Sequence, residues 1–302
     1  MTKPKPIIID LSEHQLPNKI NYDLLAKNID GAIVRIQYGS AYEDNQYKTH
    51  ITELQKRGVP VAVYAWVRGT DVNDMRNEAT TFYNRAKQFN PTFYWLDIEE
   101  RSMSDMRSGV EAYRSTLQGY VGNKVGAYIA NHLFSIFNID VSKFNGIWIP
   151  TYGVNNGEYL GVNPTATNNY NLHQYTSNGV LPGFNGPLDV SRIANGDFST
   201  FFGKAQVKPQ TPKPQPAPTN VKWHVENATY VMNGDTNLRT QPTTNSGVIA
   251  LLPRGSAIKY DAWAITNGYL WIRQPRSGGY GYVATGPANG NGRTEAAWGS
   301  FK

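Results

Sequence analysis

The chain has no cysteine, which excludes disulfides, thiol nucleophiles and thiolate metal sites. No apolar run approaches the roughly 20 residues of a membrane-spanning helix. Ile7–Ile9 is the only apolar stretch near the start, and Asp10 ends it, short of the apolar core of about 7–15 residues that a signal peptide needs. The expectation is a product made in the cytoplasm without a secretion signal, reaching any outside target only after release. Histidine is scarce, at five residues, and none falls in an HExxH or similar metal spacing. No GxSxG nucleophile elbow occurs, and no glycine-rich phosphate loop joins a strand to a helix. Metal, cofactor and serine-hydrolase chemistries are therefore not expected.

Acids are unevenly spread. Residues 1–203 carry a net charge of −1, residues 204–222 carry +4 with no acid, and residues 223–302 carry +3. Residues 204–222 contain five prolines and almost no large apolar side chains. Such a segment cannot form a core and reads as an extended spacer. The expected organisation is a domain over residues 1–203, a Pro-rich linker over 204–222 and a second domain over 223–302. The basic linker and tail suit an anionic surface such as a cell wall or nucleic acid, and the lysines read equally as those of a solvated linker.

Within residues 1–203, short apolar runs alternate with helix-period segments. Expected strands are 6–11, 31–38, 59–67, 92–98, 124–130, 146–152, 170–175 and 188–193. Helices are expected over 22–29, 45–57, 71–89 and 104–120. In the third helix Met75, Ala79, Phe82, Tyr83 and Ala86 recur on one side. Eight strands with intervening helices predict an α/β fold, a modified parallel (β/α) barrel of the TIM type. After the linker, short strands rich in aromatics and separated by Gly, Asn, Pro and Ser predict a small all-β barrel of about 80 residues.

Phe93-Tyr94-Trp95-Leu96-Asp97-Ile98-Glu99-Glu100 is the most informative stretch. Its composition is that of a buried strand, yet it ends in three acids. Alternation places Asp97 and Glu99 on one face and Glu100 on the other, where an ion pair with Arg101 or another base is expected. Asp10 follows Ile7-Ile8-Ile9, Gln174 follows Leu172, and Asp189 follows Leu188. In a parallel barrel these strand ends converge on one rim, where active sites form. Asp10 and Asp189 each admit a second reading as helix N-caps. Paired carboxylates without a metal or cofactor motif suit glycoside hydrolysis: one carboxyl protonates the departing oxygen and its neighbour stabilises the charge developing on the sugar. Tyr38, Tyr64, Trp66, Tyr128 and Tyr152 are candidate sugar-stacking rim aromatics, with Trp66 equally readable as core. His173 is expected to face the barrel wall.

These residues carry a resemblance. Ile8-Ile9-Asp10-Leu11-Ser12, Ala62-Val63-Tyr64-Ala65-Trp66, Trp95-Leu96-Asp97-Ile98-Glu99, His173-Gln174-Tyr175 and Leu188-Asp189-Val190-Ser191, taken in order, resemble a glycoside hydrolase family 25 lysozyme. The resemblance implies an N-acetylmuramidase cutting the β-1,4 bond between N-acetylmuramic acid and N-acetylglucosamine. It implies Glu99 as general acid/base, Asp97 as second catalytic carboxylate, and Asp10 and Asp189 as cleft residues; Tyr64, Trp66, Tyr128 and Gln174 are expected in the cleft from the strand-end and rim readings above. Gln37 is given no role. Residues 223–302, through Thr236–Pro242, Gly268–Ile272, Gly281–Gly286 and Trp298–Lys302, resemble a bacterial SH3 cell-wall-binding domain. That implies peptidoglycan as partner, its wall peptide at the SH3-like module, with Tyr260 and Trp271 as candidate groove residues. The whole is similar to a bacteriophage endolysin. A non-catalytic wall-binding protein and a glycosidase of different bond specificity are the alternatives.

Overall fold

The computed structural model describes residues 3–203 and 220–302. It forms two compact units, Met1–Lys208 and Pro209–Lys302. The expected linker falls mainly on residues 204–219, outside the described residues. Among the described residues no helix is long and apolar enough to cross a membrane.

The first unit runs β1 (Ile8–Leu11), α1 (Tyr22–Asn28), β2 (Gly31–Tyr38), β3 (Tyr42–Glu43), α2 (Tyr47–Gln55), β4 (Val61–Trp66), α3 (Val72–Ala86), β5 (Tyr94–Ile98), α4 (Met106–Val121), β6 (Val125–Ile129), α5 (Phe134–Phe137), β7 (Ile147–Pro150), β8 (Leu172–Leu181), β9 (Phe184–Ile193) and α6 (Phe198–Phe202). The sheet order is β1-β9-β8-β7-β6-β5-β4-β2, closed by β1 pairing with β2, with β3 appended to β2. Asn21, Asp71 and Asp105 cap α1, α3 and α4 through side-chain bonds to the first free backbone N–H groups. The apolar face expected on α3 is present: Met75, Ala79, Phe82 and Ala86 are buried against the barrel wall. Tyr83, half-buried, stacks on Tyr120 of α4 at 4.5 Å.

One expectation is corrected. The barrel is not parallel throughout: β8 and β9 form a hairpin, and β9 pairs antiparallel with both β8 and β1. The turn between Leu181 and Phe184 contains Pro182-Gly183, with Gly183 at φ +107°. That dipeptide is a turn signal, and it joins strands that the sequence pattern left separate. The tip docks on α1, where Gly183 O accepts from Asn21 N at 2.7 Å. A hairpin needs no crossover helix, which is why helices are missing from the closing part of the barrel.

The barrel interior is filled from below. Ile8, Ile33, Ala62, Phe93, Trp95 and Leu172 point inward, and Phe201 and Phe202 of α6 pack against them. Gly126 lies in register with Trp95, and a Cβ there would sit 2.4 Å from the indole ring. The indole occupies the space a larger residue would take. Above this floor the inward positions of the same strands turn polar.

The second unit is all-β: β10 (His224–Met232), β11 (Thr236–Arg239), β12 (Val248–Leu252), β13 (Ala257–Thr266), β14 (Tyr269–Arg276), β15 (Gly279–Asn289), β16 (Gly292–Arg293) and β17 (Gly299–Phe301). Asn267 and Gly268, both with positive φ, form the two-residue turn between β13 and β14. Its core gathers Tyr230, Met232, Leu238, Ile258, Tyr260, Ile272 and Val283.

Candidate active site

The polar inward positions meet in an open cleft of about 230 Å³. Asp10 comes from β1, Arg35 from β2, Tyr64 and Trp66 from β4, Asp97 from β5, Tyr128 from β6 and Gln174 from β8; Glu99 follows β5 directly. Asp189 comes from β9 and lies directly opposite Asp10 in the antiparallel register. The strand-end rule therefore places Asp10, Asp97 and Glu99 correctly, whereas Asp189 arrives in mid-strand through the hairpin. Neither Asp10 nor Asp189 is a helix cap. Asp10, Tyr64, Trp66, Asp97, Glu99, Tyr128, Tyr152, Gln174 and Asp189, all singled out in the sequence, line this one cleft, whereas Tyr38 does not.

Asp97 and Glu99 are in side-chain contact. Asp97 Oδ1 is buried and has no other donor, so the contact is a hydrogen bond only when the two carboxyls share a proton. Burial, followed by the charge of Glu99, pushes the Asp97 carboxyl well above the usual carboxylate range. Burial likewise raises Glu99 and lifts Asp189 to about 6. Asp10 is raised by burial and then by Asp189, against the lowering effect of its bond from Gln174. Arg35 is the only permanent cation lining the cleft among the described residues, and it is committed elsewhere. Its Nε donates to Asp44 Oδ2 and its Nη2 to Glu13 Oε1, each at 3.0 Å. Four acids thus share a buried space with little compensating charge, an arrangement typical of functional sites.

The surrounding groups are fixed by hydrogen bonds. Tyr128 and Tyr152 donate to Gln174 Oε1 at 2.9 and 2.6 Å, and Gln174 Nε2 donates to Asp10 Oδ2 at 2.9 Å. Trp148 donates to Ser191 Oγ at 3.0 Å and packs edge-on against Tyr128. Trp66 is half-buried at the rim, and its indole N–H donates to Glu100 Oε1 at 3.1 Å. Glu100 does face away from the cluster, but its cation is Arg68, at 2.7 Å, and not Arg101. Tyr38 sits beside Trp66, at 5.2 Å between ring centroids, with the Arg68 guanidinium over its ring. Gln37 bonds to Glu78 O and Arg85, on the helix side of the wall. His173 also faces the wall, bonded to Thr151 O at 2.8 Å.

Ser12, His14, Gln15, Arg35 and Trp148 line the cleft without having been singled out. Arg35 carried a signal, a charge inside the apolar run Ala32–Ile36. Ser12, His14 and Gln15 lie in the loop immediately after Asp10, where the strand-end rule points. Trp148, inside an apolar run, carried none.

In the second unit the two expected groove residues are corrected. Trp271 is fully buried, with its indole N–H donated to Thr266 O at 3.0 Å. Tyr260 is also buried and donates to Glu226 Oε1 at 2.5 Å. Tyr260 belongs to the core of this unit, while Trp271 and its neighbour Ile272 are both enclosed, so both faces of β14 are covered there. The open groove of this unit, about 730 Å³, is lined instead by Lys222, His224, Trp263, Asn267 and the 288–292 turn. His224 and Trp263 stack there at 4.3 Å.

A barrel whose rim gathers buried, mutually repelling carboxylates is the framework of a carboxylate-dependent glycoside hydrolase. Comparison with known proteins narrows the class. Residues 9–184 match the model of glycosyl hydrolases family 25, and the chain belongs to that family. Residues 223–284 match the bacterial SH3 domain model. A glycosyl hydrolase 25 of Streptococcus pneumoniae, GHIP, described as a virulence factor participating in host cell invasion, is 42% identical. Its alignment covers 68% of this chain and 94% of that one, with a TM-score of 0.63. The catalytic domain of endolysin ply40, from bacteriophage P40 of Listeria monocytogenes, is 25% identical over 67% of this chain and 100% of that one, with a TM-score of 0.62. A curated relative, the probable autolysin PH of Staphylococcus aureus (strain NCTC 8325 / PS 47), is 33% identical over 137 residues, 44% of this chain. The match spans only 27% of that relative's length.

Proposed function

We propose that this enzyme is a peptidoglycan muramidase, hydrolysing the β-1,4 bond between N-acetylmuramic acid and N-acetylglucosamine. The Asp97–Glu99 contact carries the reading. Two carboxyls in contact are too close for an inverting mechanism, which separates them by about 6.5–9.5 Å to admit a water. The contact favours retention of anomeric configuration. Glu99, its carboxyl raised by burial, protonates the departing glycosidic oxygen. Asp97 stabilises the positive charge developing at the anomeric carbon, by direct attack or by orienting the sugar's own acetamido group. Transfer of the proton leaves both carboxyls negative, a repulsion that the developing sugar cation offsets. Tyr64, Trp66 and Tyr128 line the cleft as sugar contacts, and Asp10 and Asp189 position substrate and tune the pair.

On this reading residues 1–203 are the catalytic domain, 204–222 the tether and 223–302 the wall-binding domain, with the wall peptide as its ligand. Tethering raises the local concentration of catalytic domain at the wall. Its open groove beside Trp263 supports a binding role. Similarity to a bacteriophage endolysin supports a lytic role after release; similarity to a probable autolysin supports the alternative of a bacterial wall-remodelling enzyme. Mass analysis of digested peptidoglycan tests the bond: muramic acid at the new reducing end supports the proposal, and glucosamine there refutes it. Glu99→Gln should abolish reducing-end release while leaving wall binding intact, because the charge chemistry is lost and the shape is kept.

A further inference from the structure

Gln174 is almost fully buried, with the acid cluster on one side and two phenols on the other. Its amide ends are not equivalent. Oε1 accepts from both Tyr128 and Tyr152, and Nε2 donates to Asp10. Rotating the amide by half a turn would point its N–H groups at the phenol oxygens. Neither phenol O–H would then have its carbonyl acceptor, and a buried unpaired donor is costly. The two tyrosines therefore lock the amide with its N–H toward Asp10. An N–H donor stabilises a carboxylate, and a protonated carboxyl would have to place its own hydrogen elsewhere.

Building on the proposed hydrolysis, we infer that Gln174 is a positioning residue and not a sugar contact: locked by Tyr128 and Tyr152, it keeps an N–H donor on Asp10 that favours the carboxylate form there, and so directs the cluster's catalytic proton toward the Asp97–Glu99 pair. Asp10 is faced by Asp189 from β9, by Asp97 and Glu99 from the end of β5, and by the phenols of Tyr64, Tyr128 and Tyr152. A negative Asp10 opposes a further negative charge on Glu99. Glu99 thus keeps its proton to higher pH. Burial and the charges of Asp189 and Glu99 work in the opposite direction and raise the Asp10 carboxyl, and the Gln174 bond is the largest influence favouring its charge.

The test is a cycle of Gln174→Met and Asp10→Asn in the full chain, with kcat and KM measured against pH on purified cell walls. Gln174→Met keeps length and removes the donor. It should lower kcat on the order of tenfold with KM within about twofold. It should also move the alkaline limb of the profile down by roughly half a pH unit, because a neutral Asp10 lets Glu99 lose its proton earlier. In the Asp10→Asn background the same change should cost less than about twofold, since its target is gone. Tyr152→Phe, which removes one lock, should shift the limb in the same direction and serves if Gln174→Met does not fold. An equal loss in both backgrounds, a raised KM with kcat unchanged, or an unmoved alkaline limb would overturn the inference. Absence of reducing-end release by the wild-type enzyme would instead overturn the proposed hydrolysis, and that measurement comes first.

Discussion

Replacing Asp189 by asparagine removes one charge from the cluster and almost no volume. The carboxyl is lifted from its ordinary 3.8 to about 6, chiefly by burial. The folded state therefore binds this proton more tightly than the unfolded chain does. Below about pH 4 both states are protonated and the group contributes nothing to the pH dependence. As pH rises from about 4 to about 6 the unfolded chain ionises first, and folding stability falls; above about 6 the deficit is complete. A rise from 3.8 to about 6 corresponds to a ceiling of about 3 kcal/mol. Asparagine imitates the protonated form at every pH. The variant should match wild type in stability near pH 3.5 and exceed it by up to that amount at pH 7.5. For a unit of this size the ceiling is roughly 6–12 °C in Tm. Urea unfolding followed by tryptophan fluorescence at the two pH values measures the difference. On the proposed roles, wall hydrolysis by the same variant should also fall, because one of the charges facing Glu99 is gone. A variant less stable than wild type at pH 7.5, or more stable by the same amount at both pH values, would refute the electrostatic reasoning.

Gly126→Ala should destabilise the barrel by about 1–3 kcal/mol through overpacking against Trp95, seen in urea unfolding. It should also lower kcat, since Asp97 lies two residues beyond that indole on the same inward face. Deleting residues 204–302 should reduce lysis of whole cells far more than cleavage of soluble glycan fragments; equal losses would mean that the tail supports folding. Proton NMR of early digests should show the β-anomer first at the new reducing end, as retention requires, and an initial α-anomer would contradict the carboxyl contact.

Most of the barrel was legible because its strands are apolar runs bounded by helix caps. Phe93 to Glu100 announced both a buried strand and its cleft-lining end, since charge inside such a run needs a reason. The closing hairpin was not legible. Residues 176–187 alternate weakly, and Asn, Gly and Pro masked a strand pair whose real signal was the Pro182-Gly183 turn. Asp189 was thus found with the wrong topology behind it. Tyr260 and Trp271 failed for another reason. Aromatics in a small β domain serve either face, and composition does not say which. Trp271 is fully buried, while the stacked pair at the open groove is His224 and Trp263, and Trp263 lies out of phase with Tyr260 along β13.

The antiparallel closure has an electrostatic consequence that a fully parallel barrel would lack. It sets Asp189 directly across from Asp10, where like charges destabilise a strand pair. A second like-charge pair, Asp97 and Glu99, meets at the end of β5. The site is therefore two repelling pairs converging on one cleft, with Gln174 bonded to Asp10 and Arg35 turned toward Glu13 and Asp44. The four carboxyls repel one another, and retained protons relieve that repulsion. A sugar acquiring positive charge as its bond breaks lowers that repulsion, and it does so most at the moment of greatest charge separation. Interactions that strengthen only as the transition state is reached are the ones that raise kcat. A fold that holds these carboxyls together at a cost to its own stability is thereby matched to a cationic transition state.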